Sequence, residues 1–377
     1  MRLVKLSLCA IVAMSTLLEA TPLEEAIKGV EISGLVRYRY YGFSDWNPYS
    51  TSDRQTNRFT GVMDIKSKIT DNLKFGTTLM VDKFDFAQNS ASTSGDIGIR
   101  RFWFQYALDD FNFELGKLRV VTPWTNVAAA GTHGNGATVQ YTGVESWAFL
   151  GGAFTQTNSM VDFRKLVPEG GVNGYGQEDF YYGAAIGQVG PIAIQLWTNM
   201  MTNVIENMSY LDLKYKYEGF SLRGQAQYTK LAKEKRHLFV NSDDGIFYGF
   251  EGGYKNKSFF VDAGYTKTDN DMPIFAFNAD NNNFIQFGEQ LIYEAINLLD
   301  TKVMFVRAGF NINKFEISAG YGHADVGEKN RDMDEYYGKI KYRYSKNFLL
   351  TSYYSILDCD DSTKDNNKFY FDSLYLF

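Results

Sequence analysis

From Glu31 to the last residue the chain repeats one pattern, short runs in which apolar and polar side chains alternate with period two. That spacing puts successive side chains on opposite faces of a β-strand. Ile32, Gly34, Val36, Tyr38 and Tyr40 share one face, and Ser33, Arg37 and Arg39 the other. Phe59, Met63 and Ile65 alternate with Thr60, Asp64, Lys66 and Lys68, and Phe102, Phe104, Tyr106 and Leu108 with Arg101, Trp103 and Gln105. The same holds for Leu211, Leu213, Tyr215 and Tyr217 against Asp212, Lys214 and Lys216, and for Tyr336, Ile340, Tyr342 and Tyr344 against Glu335, Lys339, Lys341 and Arg343.

Alternation alone fits two folds. A soluble sandwich puts its apolar face inward, whereas an outer-membrane barrel puts it toward lipid and keeps water in the lumen. The joints decide between them. Short connections at 70–72, 109–112, 142–146, 188–191, 218–219, 255–257, 311–314 and 345–347 alternate with long ones at 41–57, 85–96, 121–136, 156–178, 200–207, 232–245, 267–301, 324–333 and 358–368. Tight periplasmic turns and long extracellular loops sort connections in this way. The expected fold is all-β, a transmembrane antiparallel β-barrel of about 18 strands. The even count returns both termini to the periplasm.

Composition agrees. The chain has 5 Trp, 26 Tyr and 30 Phe in 377 residues, too many large apolar side chains for a disordered chain, yet a mean hydropathy of −0.29. Averaging a lipid-facing half with a water-facing half gives such a value. After the N-terminus no stretch reaches the roughly 18 apolar residues of a membrane-spanning helix. Strand-end tyrosines such as Tyr40, Tyr217 and Tyr344 suit the boundary between hydrocarbon and headgroups. The net charge of −6 argues against a nucleic-acid partner, which needs a basic field.

Residues 1–20 read as a secretory signal, with Arg2 and Lys5 before an apolar stretch and a small-residue cleavage site ending at Ala20. Residues 21–377 are then the barrel domain. Within it, Pro22 and the early carboxylates Glu24 and Glu25 predict a short periplasmic helix over 21–29. Cys9 falls in the signal, leaving Cys359 alone and no disulfide framework.

The run TPLEEAIK from Thr21 to Lys28, then SGLVRYRY from Ser33 to Tyr40, resembles the start of the Campylobacter major outer membrane protein family. So do IRRFWF from Ile99, LGK from Leu115, and Trp124-Thr125 leading to Gly131-Thr-His133-Gly-Asn-Gly136. FYYGAA from Phe180 and the closing strands add later echoes. The resemblance implies a trimeric porin of roughly 18 strands in the outer membrane of a Gram-negative bacterium, among lipid and lipopolysaccharide. Phe369, Phe371, Tyr375 and the terminal Phe377 share one face, and such an ending resembles the signal that barrels present to their assembly machinery.

A porin selects by size and charge. The segment 121–136, rich in Ala and Gly, is the expected constriction loop, with Trp124 and His133 in it. By strand parity a basic set faces the lumen, of which Arg37, Arg39, Lys66, Lys68 and Arg101 stand nearest that loop. Further lumen bases are Lys214, Lys216, Arg223, Arg307, Lys339, Lys341 and Arg343, with Asp64, Asp82, Asp212, Asp262, Glu316 and Glu335 as fewer acids. Ion preference stays open, because a negative chain and a basic lumen point in opposite directions. Residues 289–299 read as an amphipathic helix on or over the pore mouth.

No cofactor is required, but Asp358, Asp360 and Asp361, with Asp365, offer hard oxygen ligands of the kind that suit Ca²⁺. Asp269, Asp271 and Asp280 offer the same. Other readings are a substrate-specific OprD-like channel, an adhesin or structural barrel, and an outer-membrane lipid hydrolase. The last would need a base among His133, His237 and His323, and no Gly-x-Ser-x-Gly elbow is present.

Overall fold

The structure, a computed structural model, describes residues 29–45, 54–86, 97–125, 131–157, 178–233, 244–270, 283–291, 298–327, 331–360 and 365–377. The signal segment and residues 21–28 of the helix expected over 21–29 lie outside them, and Gly29 is in a turn.

Eighteen strands follow one another: β1 (Val30–Asp45), β2 (Arg54–Lys68), β3 (Leu73–Phe86), β4 (Gly98–Leu108), β5 (Phe111–Arg119), β6 (His133–Val144), β7 (Trp147–Thr157), β8 (Phe180–Val189) and β9 (Ile192–Met201). The second half is β10 (Ile205–Tyr217), β11 (Phe220–Leu231), β12 (Asp244–Lys255), β13 (Phe259–Thr268), β14 (Thr301–Ile312), β15 (Phe315–Val326), β16 (Arg331–Arg343), β17 (Phe348–Cys359) and β18 (Asn366–Leu376). Each pairs antiparallel with its sequence neighbours, and β18 returns to β1 from Leu35↔Leu376 to Asp45↔Asn366. The barrel is closed, which leaves no strand edge unpaired in lipid. Backbone bonds between Gly34 and Phe377, 2.9 and 3.1 Å, carry the seam to the last residue.

The periplasmic turns are local chemistry. Asp109, Ser146, Glu218 and Asn313 take positive φ at tight reversals, joined by Gly190 and Gly219. In the β12–β13 turn the Asn256 carboxamide accepts the N–H groups of Ser258 and Phe259, both at 2.8 Å.

Polarity is inverted relative to a soluble domain. Leu222, Phe250 and Phe310 are 62, 59 and 55% exposed on the outside, while Glu335 and Asp212 are 0 and 2% exposed on the inside. With lipid as the outer solvent this is the stable arrangement. The aromatic ends of β18, Phe369, Tyr375 and Phe377, are exposed on the same outer face.

Several loop expectations change. The connection expected over 200–207 is a turn of residues 202–204, with Asn203 at φ +60° and Val204 fully buried. Strand pairing there outruns the polar composition because Val204, Ile205 and Met208 join an apolar cluster inside the barrel. The segment expected over 41–57 is shortened by β1 to Asp45 and by β2 from Arg54, and the loop expected over 121–136 ends at His133, where β6 begins.

Glycines let bulky side chains lie flat on the inner wall. A Cβ at Gly76 would sit 2.3 Å from the indole of Trp103. We expect Gly76→Val to destabilise the barrel by about 1–3 kcal/mol through overpacking. The temperature at which the folded band is lost in unheated-versus-heated gel electrophoresis should fall accordingly.

Candidate functional site: the lumen constriction

Two connections turn into the barrel. The first follows β5. Val120 and Trp124 are buried, and the Trp124 Nε1–H donates to Gln227 Oε1 of β11 at 3.1 Å. Thr125 Oγ1 donates to the Val120 carbonyl at 2.7 Å and accepts the Thr122 N–H at 2.9 Å, so the loop closes on itself before crossing. Leu118, Val120 and Trp124 pack with Phe154, Phe180, Trp197, Met208 and Tyr210 of β7–β10.

The second is the β13–β14 connection. Ile285, Phe287, Leu291 and Leu298 pack on Val303, Phe305, Met333, Leu357 and Cys359 of β14–β17. Most of the helix expected over 289–299 falls on 292–297, outside the described residues; Leu291 is helical, and Leu291 and Leu298 pack on the inner wall at the extracellular ends of β14–β17. Apolar side chains here have the inner wall as their only dry surface. The Glu335 carboxylate accepts the N–H groups of Glu289 (2.8 Å), Gln290 (3.2 Å) and Leu291 (2.8 Å), and the Ser355 hydroxyl at 2.5 Å. Gly288 has φ +91°, and a Cβ there would strike this carboxylate. Lys339 pairs with Glu289, and Lys368 Nζ donates to the Glu289 carbonyl at 2.8 Å.

The loops also touch each other. Asn283 Nδ2 donates to the Pro123 carbonyl at 3.3 Å, and the Asn283 carbonyl accepts Arg223 at 2.7 Å and Gln225 at 2.9 Å. Arg223, Gln225 and Tyr210 all converge on Asp212.

The described loop residues thus cover β7–β12 on one side and β14–β18 on the other. Neither apolar cluster includes a residue of β1, β2 or β3. On that arc Arg37 forms a fork on Asp372, Nε and Nη2 both at 2.8 Å, and Arg58 forms one on Asp82 at 2.8 and 2.6 Å. Arg39 donates to Thr60 at 3.2 Å.

Sequence-predicted residues fall in three places. Arg37, Arg39, Lys66 and Arg101 face the lumen on β1, β2 and β4. Lys68 ends β2 and pairs at 2.6 Å with Asp71 in the periplasmic turn. Trp124 and His133 are enclosed, His133 with Nδ1 2.7 Å from the Gly131 carbonyl, so they pack within the protein rather than face water. Arg58 and Arg119 were not anticipated. Arg58 has the parity of Asp64 and Lys66, but lies between the loop expected over 41–57 and the alternation read from Phe59. Asp360 accepts the Asp332 N–H at 2.9 Å at the β16–β17 rim, and Asp361 lies outside the described residues. Among the described residues no group of three or more His, Cys, Asp or Glu gathers as a metal site. His323 faces outward with Nδ1 3.1 Å from Asp334.

A closed 18-stranded barrel, apolar outside and narrowed within by two loops, is an outer-membrane channel. Solved structures share the fold. OccAB3 of Acinetobacter baumannii has a TM-score of 0.75 at 12% identity, over 93% of this chain and 99% of that one. OccK9 (OpdG) of Pseudomonas aeruginosa has 0.73 at 14%, over 93% and 99%. A BenF-like porin of Pseudomonas fluorescens Pf-5 has 0.68 at 14%, over 92% and 98%. No curated protein matches in sequence. The chain belongs to the Campylobacter major outer membrane protein family, whose model matches residues 1–375. It is an outer-membrane porin.

Proposed function

We propose that solutes cross by passive diffusion along the arc of β1–β4, where water meets Arg37, Arg39, Arg58, Lys66 and Arg101. The observation that carries this is the division of the inner wall among the described residues, where the two apolar clusters hold no residue of β1–β3 and only Trp103 of β4, and charged side chains stand on this arc. Charged groups facing water while apolar groups face lipid are what conduction needs. The function is transport without chemistry. Among the described residues the outward His323 has an acid and a tyrosine, Asp334 and Tyr321, gathered about it and no activated nucleophile.

The same proposal includes assembly as a homotrimer in lipid and lipopolysaccharide, insertion through the aromatic ending at Phe377, and Ca²⁺ at the tip carrying Asp358 and Asp360. Chemical cross-linking, truncation of Phe377 and chelation during thermal unfolding test these three in turn.

For the channel itself, purified protein in a planar bilayer is expected to give stepwise conductance. A neutral sugar small enough to enter should permeate in proportion to its concentration. Absence of conductance would leave an adhesin or structural barrel; saturable sugar flux would favour a substrate-specific channel.

A further inference from the structure

The outer wall of the barrel is not uniform. Midway up, β12 and β14–β18 present Tyr248, Met304, Tyr321, Tyr336, Tyr354 and Phe369 outward, all of them exposed. At that height β5–β9 differ. Lys117 of β5, Asn135 of β6, Thr155 of β7 and Thr198 of β9 are exposed on the outer face. Register sets Lys117 directly opposite Asn135, and Asn135 Nδ2 donates to Gln156 Oε1 at 3.3 Å. Lys117 Nζ donates to the Ile99 carbonyl at 3.0 Å. With about 3.3 Å per residue and a strand tilt of about 40°, Lys117 stands roughly 18 Å above the β4–β5 turn, inside an apolar band about 25 Å tall. A charge on the lipid face of that band is destabilising, so this stretch of wall faces something other than lipid.

Two faces of opposite shape flank Lys117 and Asn135. On β3–β5 the rings form a ridge, with Phe75 5.0 Å from Phe102 and 5.6 Å from Phe104, and Phe111 stacked on Phe113 at 5.9 Å. On β6–β8 the wall is flat, with Ala137 opposite Ala153 and Gly151 opposite Gly183. A Cβ at Gly183 would have no atom nearer than 3.8 Å, so no side chain of the same subunit fills the space over it. Small residues of this kind let one membrane-spanning wall approach another closely. The ridge centres on β4 and the flat face on β7, three strands apart in a ring of eighteen. That separation is about 60°, the angle between the directions to the two neighbours in a three-membered ring, so ridge on flat face closes at three copies. Lys117 and Asn135, between the two faces, then look toward the three-fold axis.

We propose that the outer wall of β3–β9 is the contact surface between copies of this chain, the aromatic ridge of β3–β5 on one copy seating on the flat face of β6–β8 on the next. This rests on the homotrimer proposed above and assigns its surface. The contact is heterologous, since the two halves are different residues, and it encloses Lys117 and Asn135 among the polar groups of the neighbouring copies instead of hydrocarbon. The aromatic wall of β14–β18 is left to lipid.

The test is cysteine cross-linking of the full chain in isolated outer membranes, in a Cys359→Ser background. Phe104→Cys with Ala185→Cys, which stand at similar heights above their turns, should give dimer and trimer bands with a short bis-maleimide. Neither single variant should, because each carries only one half of the contact. Phe250→Cys with Tyr354→Cys, outside the proposed surface, should give none. Independently, Gly183→Trp fills the flat face from outside and should lower the trimer fraction, read by amine cross-linking of purified protein in mild detergent, at least about tenfold. Its heat-modifiable gel mobility should persist as a folded monomer. Gly338→Trp on β16, exposed and with no atom within 4 Å of its Cβ, should keep the trimer. A parent trimer that gives no bands in the double cysteine variant and is unchanged in Gly183→Trp would overturn the surface while leaving the assembly. Bands from a single cysteine variant would overturn the ridge-on-flat contact. A parent that amine cross-linking shows to be monomeric would remove the trimer and the surface together.

Discussion

Glu335→Ala is expected to release the β13–β14 connection from the wall and roughly double the single-channel conductance, because an inward segment sets much of the open cross-section. The carboxylate is fully buried and accepts three consecutive loop N–H groups and a hydroxyl. Burying it costs desolvation, but removing it alone strands those donors, and breaking one side of a buried charged contact costs about 3–5 kcal/mol. Moving a two-state element from almost wholly docked to almost wholly undocked takes about 5.5 kcal/mol, so the variant should populate both states and show added current noise. Cys359 gives a second readout. It packs under Leu291 and Leu298, so a polar maleimide should label it slowly in the parent and quickly in Glu335→Ala. Glu335→Gln keeps one acceptor oxygen and should lie between. Unchanged conductance together with unchanged labelling would show that the apolar contacts of Ile285 and Phe287 hold the loop without the carboxylate.

The barrel was legible because its two signals are local. A strand buried in lipid on one face must alternate, and a periplasmic turn must use residues that tolerate it, as at Glu218-Gly219 and Asn313. Arg58 was missed for a physical reason. Strands here run past the hydrocarbon layer, where the outer face is no longer obliged to be apolar, so alternation fades although pairing continues from Thr56 to Phe86. The inward course of the second loop was less legible. Phe284-Ile285-Gln286-Phe287 is an apolar run that a surface loop has no use for, and it is the one local clue. Its anchor is 46 residues further on at Glu335, whose inward parity is plain but whose partners are backbone N–H groups that no side-chain pattern announces. The same limit applied to charge. Parity lists the lumen bases, but which are neutralised depends on register across strands, as Arg307 on Glu251 and Asp262 shows.

Trp124→Ala is expected to be the more damaging of the two loop variants. The indole is fully enclosed, and truncating a buried aromatic of that size costs about 3–5 kcal/mol in lost burial and cavity. Gln227 Oε1 also loses its donor. The cost falls on the docked state of the first loop, whose described residues past Arg119 keep only the Val120–Thr132 backbone bond to the approach of β6, so it should be released before the barrel unfolds. Conductance should rise, while the heat-modifiable band should persist with its transition lowered by a few degrees. The two loops should not act independently. Tyr210 sits between Trp124 (6.1 Å, edge-on) and Phe284 (5.6 Å, edge-on), and Asn283 bonds the Pro123 carbonyl. Contacting residues usually couple by about 0.5–3 kcal/mol. Freeing the first loop removes one wall of the pocket that holds Phe284, so Trp124→Ala should also speed Cys359 labelling, though less than Glu335→Ala. The double variant should then label faster than the product of the two single effects predicts, because each loop loses a surface that the other supplied. Strictly multiplicative rates would mean that Tyr210 and Gln225 hold Phe284 and Asn283 in place without help from the first loop.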